Sequence, residues 1–214
     1  MLVMTGPDEK RKAKHPMILP DGYADVPAGK IATVVTSLEM RARPALRSDP
    51  PAEAGFGLKR IERPDLVWFR ALFRRVGENY LWFSRLRMSD EALTAELLDP
   101  GMETYALTRD GEDLGLLQLD FRKPAEGELS FFGVADGLIG TGAGRWLMNR
   151  ALERAWSKPI ERFWVHTCTL DHPAALSFYV RSGFIAFRRQ IEVADDPRLA
   201  GYLPRTAAPQ IPII

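Results

Sequence analysis

The stretch GVADGLIGTGAGRWLMNRAL, residues 133–152, decides how this chain is read. Gly140, Gly142 and Gly144 stand at alternate positions. Directly after them Leu147, Met148, Ala151, Leu152, Ala155 and Trp156 recur with the spacing of one helical face. So bare a backbone at a helix start lets a ligand approach the main chain. The first-turn N–H groups and the helix dipole then form an anion site suited to a diphosphate. Arg145, in the first turn, adds a cation. A tight strand-to-helix turn with no ligand is the alternative, since glycine serves there too. Two phosphate-binding patterns fail on spacing. A P-loop needs Lys and then Ser or Thr after its last glycine, where this chain has Arg145 and Trp146. A dinucleotide fingerprint needs its third glycine where Arg145 stands, and its strand should run straight into the turn, whereas ADGLI intervenes.

Working outward, GELSFFGV before the glycines reads as a strand. ETYALTRDGEDLGLLQLDFR reads as two more strands joined at Asp110-Gly111, a strong hairpin signal. A meander of three strands is expected from about Glu103 to Val134. After the glycine-led helix come a buried strand, RFWVHTCTL, a helix, PAALSFYVRSG, closed by Gly183, and a strand, FIAFRRQIEV. Upstream, β-branched residues mark a strand from Ile31 to Met40. A loop with four prolines and two glycines follows, long enough to suggest a function of its own. Helices are expected over Pro64–Val76, from the spacing of Leu66, Phe69, Leu72, Phe73 and Val76, and over SDEALTAELL. Residues 1–30 read as a mobile arm and 31–214 as one domain; the tail after Val193 is broken by prolines, and an edge strand at its end stays open.

Composition limits the function classes. The 214 residues are 46 % hydrophobic and 27 % charged with a formal net charge of +1, so the chain can build a core and offers no overall field for nucleic acid or a membrane surface. The lone cysteine, Cys168, forms no intramolecular disulfide and no metal cluster. With no apolar run of signal or spanning length, the expectation is a cytoplasmic protein.

The segment from Gly127 to Phe184 resembles the GNAT N-acetyltransferase superfamily. Its pyrophosphate loop reads Gln/Arg-x-x-Gly-x-Gly/Ala, and here Gly142 and Gly144 take the small positions while Ile139 replaces the leading polar residue. The family's Asn-x-x-Ala-x-x-x-Tyr-x-x-x-Gly-Phe is matched by Ala175, Tyr179, Gly183 and Phe184, with His172 in place of Asn, a version similar to an Asp-His-Pro subset of bacterial members. The resemblance implies an α/β (α+β) acyl-CoA N-acyltransferase fold, with a mixed central sheet containing an antiparallel meander and flanked by helices. It implies acetyl-CoA as cosubstrate, no metal, and an amine-bearing acceptor, small molecule or protein. A homodimer is among the open assemblies. Phe132, Gly133 and Val134 inherit the splayed strand end that pairs with pantetheine. Ile139, Gly140, Thr141, Gly142, Ala143, Gly144 and Arg145 inherit the diphosphate loop, and His172, Ala175 and Phe178 the last helix of the cofactor site.

Acetyl transfer to an amine needs a neutral nucleophile, donors for the developing oxyanion and a proton for the departing thiolate. By resemblance Tyr179 supplies that proton, and an N–H near Val134 meets the oxyanion; core packing is the other reading of Tyr179. Glu128 is the candidate base. On an ideal strand residues 128, 130, 132 and 134 share a face, which puts Glu128 beside Val134 if no bulge intervenes. Asp136 and Asp171 are weaker alternatives. His172 either touches the cofactor or orders the turn before Pro173. His166 and Cys168 share a strand face, which more often means core than a nucleophile pair. The acceptor is expected near Tyr80, Trp82, Phe83 and Arg85, although the aromatic rings of Tyr80, Trp82 and Phe83 more often mean core. A catalytically idle acyl-CoA-binding module and a nucleotide-binding domain are the competing functions.

Overall fold

The structure, a computed structural model, describes residues 20–214; the expected N-terminal arm lies outside the described residues as far as residue 19. Its strands are β1 (Lys30–Met40), β2 (Gly57–Ile61), β3 (Met102–Arg109), β4 (Glu112–Asp120), β5 (Glu126–Val134), β6 (Arg162–Cys168) and β7 (Ile185–Asp195). Its helices are α1 (Leu66–Gly77), α2 (Asp90–Leu97), α3 (Ala143–Ala155) and α4 (Ala175–Arg181). Local chemistry sets the boundaries. Asp65 caps α1 by accepting from the Trp68 amide at 2.9 Å, so the helix starts at Leu66 and not at Pro64, and Ser89 caps α2 by accepting from the Ala92 amide at 3.2 Å. Asp110 and Gly111 both hold positive φ, 52° and 82°, as a type I′ hairpin turn requires.

The strands form one sheet in the order β2-β3-β4-β5-β6-β1-β7. All neighbours are antiparallel except β5 and β6. The β6-α4-β7 crossover leaves a slot that the N-terminal strand β1 fills, pairing with β6 on one side and β7 on the other. The long loop after β1 contains the short edge strand β2, which the prolines and glycines around it concealed from pattern reading. The tail adds no strand. Arg198, paired with Asp196 at 2.7 Å, donates to the carbonyls of Ala207, Ala208 and Ile211 and folds the tail onto the body.

Two features of β5 position everything that follows. Its parallel pairing with β6 covers Glu126–Glu128 against Arg162–Trp164 and no further, so the two strands part above that point. It also carries a bulge. Leu119 faces Leu129 but Gln118 faces Phe131, so Ser130 is an extra residue. Above the bulge Gly133 turns to the α1 side, where a Cβ would stand 2.5 Å from Val76 Cγ1. Phe132 turns to the other side and stacks on Phe178 of α4 at 5.6 Å. The core on the α1 side is aromatic. Phe131 meets Phe73 edge-on at 4.9 Å and Trp82 at 5.4 Å.

Candidate active site

Where β5 and β6 part, a cleft of about 710 Å³ opens. One wall is the end of β5, with Phe132, Gly133 and Val134; the opposite wall is α4 with Ala175, Phe178 and Tyr179. The floor is the glycine loop from Ile139 to Gly142, with Gly144 and Arg145. The residues expected to hold a cofactor therefore converge on one cavity, with one correction. Ala143 points away from the cleft and is fully buried in the core, so only its backbone faces the loop.

The loop is built to present main-chain donors. Gly142 is the N-cap of α3 at φ 92°, a conformation costly for any residue with a Cβ, and it offers no side chain to cap the helix. The amides of Gly144 and Arg145 fall in the first turn, where helical geometry provides no carbonyl. Gly140, at φ 82°, has open space where a Cβ would be. Thr141 is occupied in the turn, its hydroxyl donating to the Leu138 carbonyl at 2.7 Å. Arg145 lines the cleft, and its buried Nε has no hydrogen-bond partner among the described residues. Such a cradle of free amides beside an under-satisfied guanidinium fits a diphosphate. Ile139 lies at the rim, 44 % exposed, and adds apolar surface only.

The end of β5 supplies a second set of donors and acceptors. The Ala135 amide donates to the Leu114 carbonyl at 2.7 Å, so in the antiparallel alternation Ala135 and Gly133 spend their backbone groups on β4. The N–H and C=O of Phe132 and Val134 then point away from β4, into the gap left by β6. Backbone groups so placed seek a partner from a ligand or from water.

Tyr179 stands at the inner end of the cleft, 5 % exposed, with ring contacts to Phe132, Phe178 and Phe184. Its hydroxyl has no hydrogen-bond partner among the described residues. Burial, reinforced by the Asp171 carboxylate, pushes its pKa far above that of an ordinary phenol, so it stays protonated at neutral pH. Asp171 itself is held by Trp82 Nε1 at 3.2 Å, the Thr167 hydroxyl at 2.7 Å and the Cys168 amide at 2.8 Å. His172 accepts from the Ala174 amide at 3.1 Å through Nδ1, which orders the turn into α4, and its ring meets Tyr80 at 6.1 Å.

Glu128 lies elsewhere. Because of the bulge at Ser130 it shares a face with Phe131 and Gly133, opposite to Val134, so the ideal-strand alternation does not hold. It does not line the cleft. Burial, with Asp120 opposite it, raises its carboxyl to about 7, against the opposing pull of Lys123, Arg85 and Arg122. His166 Nδ1 lies 4.0 Å from Glu128 Oε1. Cys168 is buried and its thiol is pushed up by that burial, which makes it a poor nucleophile.

Of the residues expected around the acceptor, Tyr80 lines the cleft, whereas Trp82 and Phe83 are core. Arg85 is 1 % exposed, paired with Glu96 at 2.7 Å and stacked over Phe131. Pattern reading missed Arg47, Pro50 and Pro51, which the long loop brings to the mouth of the cleft, and Arg181 of α4. The Arg47 carbonyl accepts from Asn149 Nδ2 at 2.6 Å, and Arg150 pairs with Asp49 at 2.8 Å, so α3 pins this loop. The unusual length of the loop was the one signal available in the sequence.

A parted pair of parallel strands above a glycine-capped helix, with a buried tyrosine facing the gap, agrees with the match of residues 67–184 to the Acetyltransferase (GNAT) family. The chain belongs to the GNAT acetyltransferase family. Solved structures share its fold at low identity. A putative GNAT acetyltransferase from Novosphingobium aromaticivorans is similar at TM-score 0.54 and 16 % identity over 79 % of this chain and 68 % of that one. A GCN5-related N-acetyltransferase from Sphaerobacter thermophilus is similar at 0.56 and 14 % over 79 % and 53 %. A protein of unknown function from Staphylococcus epidermidis is similar at 0.53 and 12 % over 78 % and 63 %. This GNAT chain thus spans less than two thirds of the length of two of those three. No curated protein matches it in sequence. Among the described residues no helix is long and apolar enough to cross a membrane.

Proposed function

We propose that this protein is an N-acetyltransferase that moves an acetyl group from acetyl-CoA to a primary amine by direct attack while both substrates are bound. The observation that carries the reading is the buried, protonated Tyr179 at the inner end of a cleft whose floor is the free N-terminus of α3. The amides of Gly144 and Arg145, with the Arg145 guanidinium, hold the diphosphate. Phe132 and Val134 bind the pantetheine arm through their backbone groups, and Arg47 and Arg181 supply further cations at the mouth.

The acceptor reaches the gap from the α1 side, where Val76, Tyr80 and Gly133 line the cleft and Glu128 shares the face of Gly133. The amine nitrogen bonds to the thioester carbonyl carbon and the carbon–sulfur bond breaks. Glu128, with a carboxyl near 7, takes the proton released by the amine, through water, since it stands outside the cleft. The Val134 N–H meets the developing oxyanion. Tyr179 gives its proton to the departing thiolate. No covalent intermediate with the enzyme is needed, and holding the two substrates together supplies much of the rate.

Release of free thiol from acetyl-CoA across a panel of amines, amino acids, polyamines and peptides tests the reading. Acceptor-dependent release that Tyr179→Phe suppresses supports it. Tight binding of acetyl-CoA with no turnover on any acceptor favours an idle binding module instead.

A further inference from the structure

Two arginines at the mouth of the cleft come from segments outside the diphosphate loop. Arg47 belongs to the long loop between β1 and β2, which precedes the residues matched to the family, 67–184. Arg181 is the last residue of α4. Both line the cleft together with Arg145, and Arg47 and Arg145 share a further small hollow with Asn149 and Ser182, so these two side chains are neighbours. No carboxylate pairs with any of the three among the described residues. Arg181 donates to the Ser177 hydroxyl at 3.0 Å.

The loop that carries Arg47 is fixed along α3. Asn149 Nδ2 donates to the Arg47 carbonyl and to Asp49 Oδ1, both at 2.6 Å, and Arg150 pairs with Asp49 at 2.8 Å. The acid closest to Arg47 in this loop is thereby committed to α3. Phe56 packs on Trp146 at 5.9 Å, and Pro50 lies over the helix start, 3.2 Å from where a Cβ on Gly142 would stand. Guanidinium charges gathered without a counter-charge repel one another, and a bound anion relieves that cost.

Given the proposed use of acetyl-CoA, on which this step rests, we infer that Arg47 and Arg181 form a second anion subsite. It holds the 3′-phosphate of coenzyme A and selects that ligand over its dephospho form. The ligand runs from thioester through pantetheine and diphosphate to the ribose that bears the 3′-phosphate. Tyr179 marks the inner end of the cleft, and the start of α3 with Arg145 takes the diphosphate. The ribose then lies beyond the diphosphate, toward the mouth, where Arg47 and Arg181 stand. Charge agrees with this order. A phosphate monoester carries about −1.5 to −2 at pH 7, which two guanidinium groups match. The diphosphate already has Arg145 and the first-turn amides of α3. Planar guanidinium forks also suit phosphate oxygens in geometry.

Calorimetric titration of coenzyme A against dephospho-coenzyme A, which lacks only this phosphate, tests the subsite without any reaction. The wild type is expected to bind coenzyme A about tenfold more tightly or better, the range of a hydrogen bond to a charged group. Arg47→Met and Arg181→Met are each expected to shrink that ratio, and the double variant to bring it close to one. Affinity for the dephospho form is expected to hold throughout, since Arg47→Met keeps the carbonyl that Asn149 grips. Equal affinity of the wild type for the two ligands overturns this inference alone. So do variants that weaken both ligands by the same factor, which would put the two arginines on the diphosphate. A wild type that binds neither ligand overturns the acetyl-CoA reading as well.

Discussion

Glu128 and Val134 stand on opposite faces of β5, because Ser130 is an extra residue between the pairs Leu119–Leu129 and Gln118–Phe131. The bulge divides the labour of the strand. Its upper end turns the backbone of Val134 to the gap between β5 and β6, and its lower end turns a carboxylate to the α1 side. In the proposed reaction this sets the Val134 N–H and the Glu128 carboxyl on two faces of one strand, so that the base acts from the α1 side through water.

If Glu128 is the base, its carboxyl near 7 sets the lower limb of the pH profile. Activity should rise as pH passes through about 7 and the carboxylate forms. Glu128→Gln should lower kcat/KM by about 100-fold near neutrality, and the deficit should shrink at higher pH as the amine loses its proton unaided. A deficit constant with pH would remove the base role.

The same shift has a stability consequence of fixed sign. Burial, then Asp120, raises the carboxyl from its ordinary 4.5 to about 7, so the folded state holds a proton that the unfolded chain has released over that interval. Stability drawn from this group is present below about 4.5 and is lost as pH climbs through about 7. Glu128→Gln, a neutral isostere, should therefore melt close to the wild type at pH 5 and above it at pH 8. Equal melting temperatures at both values would show that Glu128 is not perturbed.

Tyr179→Phe removes only a hydroxyl that has no partner among the described residues, so thermal stability should hardly change. kcat should fall by about 100-fold or more, the range of a lost general acid. KM for acetyl-CoA should stay near its starting value, as measured by thiol release.

Gly133→Ala tests how the strand end is held. Its Cβ would stand 2.5 Å from Val76 Cγ1 and 3.2 Å from the Trp82 ring. Overpacking of this kind costs about 1–3 kcal/mol, to be read from chemical denaturation, and it should disturb Val134 next door enough to lower kcat as well.

Much of this arrangement is legible in the letters. Alternating apolar residues, Asp110-Gly111 and the helical spacing after Gly144 report local preferences, and local preferences agree with the fold here. What escaped is non-local. β2 is short and carries Lys59 and Arg60 among prolines, so nothing in its own composition marks it as paired with β3. Ser130 looks like any other strand residue, and only the register against β4 reveals it as extra. Arg47 reaches the cleft because Asn149, far away in the chain, holds the Arg47 carbonyl. Trp82 and Phe83 already read more readily as core, whereas Arg85 reads as an acceptor-site cation, and only its buried pairing with Glu96 shows it to be core.

Gly142 carries the central claim, and calorimetric titration of coenzyme A tests it with one substitution. Gly142→Ala forces a Cβ into φ 92° and to 3.2 Å from Pro50, a strain worth about tenfold in affinity or more. Stoichiometric binding by the wild type is expected, weakened at least tenfold in Gly142→Ala and further weakened when Arg145→Ala is added. Coenzyme A binding that both variants leave unchanged, or none in the wild type, would contradict that claim.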